Sequence, residues 1–461
     1  MKESDLFNTG VIECEKGSAV FINDNYSFNF LNALSKKPDM YDRDKAFCLS
    51  LPADGFLKGV THNGHDIAIY CGSPEEFATK EIPSTFCIHT NTYLIQCGNR
   101  SPCDWSHFEG IQFCGGTLND LFSNIPFIKL SASGDSVTPL SSVISTPFGE
   151  ITVTIGTISQ ERRSRGEYTL SNRTVYIKLL FAESITIADI FPHLDNVSKF
   201  ISFLTNHKNI GFDEIYLLKW NKKYHTAFND VQIFQESYHE FVQKSPWSNI
   251  CFDDLNDFLF PLLQLVYSRS PHNPFCFMDF FPASSRDVGR MSTDLIHSIV
   301  TCLECELSRT KAISSPSDDK NTAYIAESEK LFSLVTELKK AVQTYEKENG
   351  SFSKKTHDML MGTLKHLSLA DADKINLLYD KYKHFLSVLF SDYNFTLEQS
   401  DIEALIIHRN RTTHGVQQIL DNRLAMTAFY LIGLIYCMIL HSVGIDDPQL
   451  KKICEKHFLS K

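Results

Sequence analysis

The chain has 461 residues, of which 43% are hydrophobic, and a formal net charge of −11. That length buries a substantial core in two or three domains. The acidity argues against a protein whose main task is coating nucleic-acid backbone, while leaving room for a local basic cleft. Thirteen cysteines, an odd number scattered along the chain, point to reduced thiols in a cytoplasmic protein rather than a disulfide framework. The opening Met1-Lys2-Glu3-Ser4-Asp5 lacks the basic-then-apolar pattern of a secretory signal.

The first part reads as strands. Short segments rich in β-branched and aromatic residues occur at Ser18–Ile22, Asp66–Cys71, Thr92–Cys97, Ile151–Ile155 and Thr174–Leu180. Turn residues such as Pro52-Ala53-Asp54-Gly55 and Asn63-Gly64 punctuate them. The pattern predicts antiparallel sheets and admits two packed sub-modules meeting near Phe127–Ser142. A helix is expected over Asp189–Thr205, a strand over Glu214–Lys219 and a helix over Asp253–Tyr267. Two basic spots, Arg162-Arg163-Ser164-Arg165 and Lys219 with Lys222 and Lys223 around Trp220, read as solvated strand and loop ends.

After Ser284 the period becomes helical. Leu295, Ile296, Ile299, Val300, Leu303 and Leu307 form one apolar stripe. Ile325, Phe332, Val335, Leu338, Val342 and Tyr345 form a second, with Gly350 placed as a C-terminal cap. A shorter helix carries Leu360, Leu364 and Leu367, and another carries Ile375, Leu378, Tyr382, Phe385 and Leu389. The next is expected to begin near Thr396 or Ser400, since Thr396 with Gln399 and Ser400 with Glu403 both spell a capping box. A last helix spans about Leu420 to His441, and its stretch Leu424–Leu440 carries no charge. That stretch is nearly long enough to cross a bilayer, but it equally suits the centre of a bundle. The buried helix is the expected reading and a membrane tether the alternative. The fold class expected is therefore α+β, with a β-rich domain of antiparallel sheets over residues 1–283 and an all-α helical bundle over 284–461.

Two cysteine clusters call for comparison with metal sites. Cys302 and Cys305 form a C-x-x-C without a second pair nearby, so they read as packing thiols on a helix. Cys97, Cys103, His107 and Cys114 have ligand chemistry suited to zinc, but irregular spacing. No cofactor is expected, and the sequence holds no phosphate-binding Gly loop, nucleophile elbow or H-E-x-x-H.

The most specific chemical signal is His408-Arg409-Asn410-Arg411-Thr412-Thr413-His414-Gly415. Asn410 and His414 are four apart and share a helix face. Arg409 lies about 100° round the helix, yet its long side chain can reach the same groove. Gly415 lets the chain leave the helix after His414, so the helix dipole favours an imidazolium there. An imidazole can take a proton from a ribose 2′-hydroxyl, and a guanidinium can stabilise charge on a phosphoryl group. Asn410 can hold the imidazole or a phosphate oxygen. His408 reads as a bystander on the other face and Arg411 as a solvated cation.

The segment Ile402–Gly415, followed by Asp421–Gly444, resembles the motif helix and following apolar helix of the HEPN ribonucleases, whose pattern is Arg-Asn-x-x-x-His. In particular it looks like the HEPN domain of ApeA-type bacterial anti-phage proteins, and the β-rich first part looks in general pattern like their N-terminal domain. The resemblance implies a metal-independent endoribonuclease of abortive infection that cleaves RNA, tRNA in particular. It implies Arg409, Asn410 and His414 at the catalytic positions, a supporting carboxylate best matched by Glu304 with Glu306 as substitute, and a homodimer in which two motif helices face one another. It further implies a sensory or regulatory N-terminal domain that answers to a phage-derived trigger or inhibitor; no membrane partner is expected, given the buried reading of Leu424–Leu440. The alternative is a non-catalytic HEPN bundle that serves as a dimerisation and partner-binding module.

Overall fold

The computed structural model describes residues 9–14, 17–32, 53–72, 85–98, 102–121, 139–164, 167–221, 226–236, 249–269, 278–284, 286–287, 289–309, 319–366, 371–387, 395–413, 415 and 419–458. The chain is α+β, with a large antiparallel sheet in its N-terminal half and a helical C-terminal half. The described residues fall into two compact units, drawn from Met1–Val242 with Ile250–His272 and from Gln243–Asn249 with Asn273–Lys461.

The first unit is built on β1 (Thr9–Cys14), β2 (Gly17–Asp24), β3 (Ser27–Asn32), β4 (Phe56–Thr61), β5 (Asp66–Tyr70), β6 (Thr85–His89) and β7 (Thr92–Gln96). It continues with β8 (Phe108–Cys114), β9 (Leu140–Thr146), β10 (Gly149–Ser164), β11 (Glu167–Ile185), β12 (Glu214–Asn221) and β13 (Thr226–Gln235). Pairing runs in the order β6-β3-β2-β1-β4-β5-β7-β13-β12-β8-β11-β10-β9. The sheet is thus continuous across the described strands, because β13 pairs with β12 on one side and with β7 on the other, setting Val231 opposite Gln96 and Ile233 opposite Leu94. The position anticipated for a boundary between sub-modules falls mostly on 127–138, outside the described residues; Leu140 already belongs to β9. Inward-facing Ile12, Phe21, Phe28, Phe30, Ile67 and Ile69 form a buried cluster, as the two-residue period of a half-buried strand requires. Gly59 marks a close approach: a Cβ there would lie 2.2 Å from the Val11 carbonyl oxygen on the neighbouring strand.

Among the described residues this unit also carries α1 (Thr117–Leu121), α2 (Ile190–Thr205), α3 (Phe252–Leu255) and α4 (Leu259–Arg269). A capping box at Thr186 and Asp189 opens the 3-10 turn that leads into α2. The single helix expected over Asp253–Tyr267 is instead broken. Asn256 takes φ +46°, a 3-10 turn follows over Asn256–Phe258, and α4 restarts at Leu259. Asparagine tolerates positive φ better than most residues.

His193 on α2 is buried, with Nδ1 3.1 Å from the Tyr267 hydroxyl. Burial pulls its pKa down to about 4 against a weaker pull upward from Asp189. The unfolded chain therefore takes up this proton first, near the ordinary histidine value, and the stability contributed by the neutral buried ring is lost as pH falls from there through 4. The expected loss reaches about 3 kcal/mol. Denaturant melts of wild type and His193→Gln at pH 7 and 4.5 check it, and the variant should show the smaller acid loss.

The second unit contains α5 (Thr293–Arg309), α6 (Asp319–Asn349), α7 (Lys354–His366), α8 (Asp371–Leu386), α9 (Gln399–Thr413), α10 (Asn422–Ser442) and α11 (Asp447–Phe458). α10 packs against α5, α8, α9 and α11. It is the one described helix long and apolar enough to cross a membrane, and 72% of its apolar window is buried within the protein. Its packing is that of a core helix, the role expected of an all-round apolar face inside a bundle.

The start of α9 differs from both expected capping boxes. Glu398 precedes the helix, and its backbone N–H donates to Asp401 Oδ2 at 2.9 Å. The same buried Asp401 carboxylate accepts from Arg423 at the start of α10, through Nη2 at 2.7 Å and through Nε. Asp401, three residues after Glu398, thus reaches back to the N-cap N–H as the acidic residue of a capping box does, while tying two helices together. Arg423→Ala leaves that carboxylate buried beside a single remaining donor. We expect a lower denaturant midpoint, with Arg423→Lys intermediate.

Candidate active site

The site lies where α5 and α9 pack against each other in the second unit. α9 turns Ile402, Leu405 and His408 into the bundle and leaves Glu403, Ile407, Asn410 and Arg411 exposed. Arg409 falls between these faces, with 20% of its side chain exposed. From there its guanidinium reaches across to α5.

Two of the residues singled out in the sequence meet there although 105 positions separate them. Arg409 Nη2 donates to Glu304 Oε1 in an ion pair, and Arg409 Nη1 donates to Asn410 Oδ1 at 3.0 Å. Because guanidinium only donates, the Asn410 atom it meets must be the carbonyl oxygen. That assigns Asn410 a narrower task than its composition allows: its carbonyl orients the guanidinium, and its NH2 is the end left to donate to a phosphate oxygen or an imidazole nitrogen. Arg409 Nε is buried with no hydrogen-bond partner. One N–H on each Nη remains beyond these two bonds, enough for a forked grip on phosphate oxygens.

His414 lies outside the described residues. α9 is described through Thr413, and Gly415 takes φ +78° with its N–H donating to the Thr412 carbonyl at 3.0 Å. A left-handed residue at this point suits glycine and ends the helix.

Glu306, the substitute considered for Glu304, is buried at 3% exposure, so it belongs to the interior side of α5 and not to the site. Cys302 is buried and Cys305 half-buried on the same helix, both as free thiols. His408 is also buried, and its Nε2 has no hydrogen-bond partner.

One residue was missed. His297 on α5 sets Nε2 2.7 Å from Thr412 Oγ1 and Nδ1 3.3 Å from Thr413 Oγ1. The signal that could have found it is its place seven residues before Glu304, two helical turns along the same face. It is also a polar interruption beside the apolar stripe of α5.

The four residues considered for zinc do not gather. Cys103 is buried and its N–H donates to Asp66. His107 pairs with Glu109 at 3.3 Å, and Cys114 Sγ accepts from Gln112 at 3.2 Å. Burial pushes the Cys97 and Cys114 thiols up to about 11 and that of Cys103 up to about 12, away from the thiolate a metal needs. Among the described residues no three His, Cys, Asp or Glu side chains stand close enough to share an ion. Of the basic spots, Lys219 is held by Asp230 at 2.9 Å and lies over the Phe108 ring. Lys222, Lys223 and Arg165 lie outside the described residues, as do the side chains of Arg162 and Arg163.

The first unit has an open cavity of about 300 Å³ whose lining includes Tyr26, Phe212, Asp213, Glu214, Phe234 and Gln235, and no cationic side chain.

No protein-family model matches the chain, and no curated protein matches its sequence.

Proposed function

We propose that this protein is an endoribonuclease of the HEPN type, cutting RNA with Arg409 and His414 while Glu304 and Asn410 hold the arginine. The observation that carries the reading is the convergence of Glu304, Arg409 and Asn410 at one site. The arginine of an Arg-Asn-x-x-x-His motif there meets the carboxylate that the family resemblance implies, from a helix more than a hundred residues away.

The chemistry follows from what these groups can do. The ribose O2′ attacks the adjacent phosphorus and its proton passes to the His414 imidazole. The O2′–P bond forms as the P–O5′ bond breaks, and the leaving O5′ takes a proton in turn. Charge building on the phosphoryl oxygens is met by the Nη donors of Arg409 and the amide of Asn410. The products are a 2′,3′-cyclic phosphate, or its opened form, and a 5′-hydroxyl. In this reading the substrate is cellular RNA, tRNA in particular. The bundle acts as a homodimer in the cytoplasm, and the β-rich unit restrains the nuclease until a phage-derived signal arrives.

One observation favours a second reading. The Arg409 charge is already matched by Glu304, which weakens its pull on phosphate and suits a non-catalytic interaction module. Incubation of the purified full chain with total tRNA, and with DNA of matched sequence, separates the two. Cleavage of RNA with DNA untouched is expected, because only RNA carries the nucleophile. Intact tRNA, with or without extract from infected cells, would favour the module.

A further inference from the structure

We propose that His297 is a positioning residue of this site: it staples the last turn of the motif helix through Thr412 and Thr413. The proposal rests on the ribonuclease reading and adds to it a residue outside the motif.

The geometry is a closed network. Thr412 Oγ1 lies 2.9 Å from both the His408 and Arg409 carbonyl oxygens, and Thr413 Oγ1 lies 2.8 Å from the Arg409 carbonyl. His297 faces both hydroxyls, at 2.7 Å through Nε2 and 3.3 Å through Nδ1. A hydroxyl has one proton and two lone pairs, and a neutral imidazole has one donor and one acceptor. With His297 neutral and protonated on Nδ1, its N–H donates to Thr413, and Thr412 turns its O–H onto Nε2. With both ring nitrogens protonated, each donates to a threonine, and both O–H groups turn to the backbone carbonyls. The contacts survive either state because the Thr412 rotor switches between two acceptors already in place.

α5 therefore grips α9 at two points. Glu304 holds the guanidinium of Arg409, and His297, two turns away on the same face, holds the turn between Arg409 and Gly415. Threonine hydroxyls bonded only to their own helix would not tie that turn to a second helix. A cleavage site depends on such ties, since misplacement of a reacting group by about 1 Å costs on the order of 10²-fold in rate.

The experiment uses the full chain, a labelled tRNA, extract from phage-infected cells and single-turnover kinetics at saturating protein. Wild type is compared with His297→Phe, His297→Gln, Thr412→Val, Thr412→Ser and the double variant His297→Phe with Thr412→Val, and Arg409→Ala reports the ribonuclease itself. His297→Phe and Thr412→Val are expected each to lower the maximal rate by about 10–100-fold, with half-saturating protein concentration unchanged. The double variant should be no slower than the worse single one, because both break the same tie. His297→Gln and Thr412→Ser should recover most of the rate: a glutamine amide can reach the Thr412 oxygen from the Nε2 side, and serine keeps the hydroxyl. Thermal melts identify a variant that fails to fold, and the two conservative variants then decide. Full activity of a folded His297→Phe, or additive losses in the double variant, overturns the staple while the ribonuclease stands. Absence of any Arg409-dependent cleavage by wild type overturns the ribonuclease, and the staple's catalytic role with it.

Discussion

His414→Ala is expected to reduce RNA cleavage by about 10²–10⁴-fold, the range set by removal of a positioned general acid–base group. His414 follows the last described turn of α9, and Gly415 at φ +78° ends that helix. An imidazole is the side chain suited to take and return a proton near neutrality. The variant is expected to keep its fold and its affinity for RNA, which a thermal melt and a binding titration check. Cells expressing it should lose phage protection together with cleavage. Labelled tRNA under single-turnover conditions measures the first effect, and plaque counts the second. Undiminished cleavage by a folded His414→Ala protein would remove the histidine from the chemistry.

Arg409→Ala is expected to lower the rate by about 10²–10³-fold, the usual effect of losing one preorganised donor to a developing oxyanion. Arg409→Lys separates charge from shape. A lysine ammonium can keep the ion pair with Glu304, but it offers no forked plane with which to hold Glu304, Asn410 and a phosphate together. It should therefore fold as wild type and stay nearly as slow as alanine. Arg409→Ala also leaves Glu304 without its guanidinium. A melt beside each rate assay tells lost chemistry from lost structure. Recovery of more than a tenth of the rate by lysine would show that charge alone suffices.

The coarse architecture could be read from the residues. Alternating β-branched and aromatic runs announced β2, β5, β7, β10, β11 and β12, and the change of period after Ser284 announced α5 to α10 of the second unit, while α11 went unread. The order of the strands could not be read. Pairing of β13 with β7 joins segments far apart in the chain, and nothing local in either strand encodes that register. Local grammar also failed where one residue serves two partners. The start of α9 offered Thr396 and Ser400 as caps, whereas Asp401 answers both the Glu398 N–H and the Arg423 guanidinium. Asn256 breaks a stretch whose apolar period reads as one helix. Of the candidate site residues, Arg409, Asn410 and His414 were visible as a motif and Glu304 through family resemblance. His297 was visible by neither route, because its meaning arises only when α5 lies against the last turn of α9.

The measurement that bears most directly on the account is the chemistry of the cut ends. Full-length protein is incubated with tRNA in excess chelator, and the fragments are analysed for terminal groups beside the same tRNA carrying a single 2′-deoxyribose at the cut. Attack by the neighbouring hydroxyl, driven by a histidine and an arginine, predicts a 2′,3′-cyclic phosphate or its opened form, a 5′-hydroxyl, and no cut at the deoxy position. Fragments bearing a 5′-phosphate and a 3′-hydroxyl, or a cut that persists at the deoxy position, would contradict it.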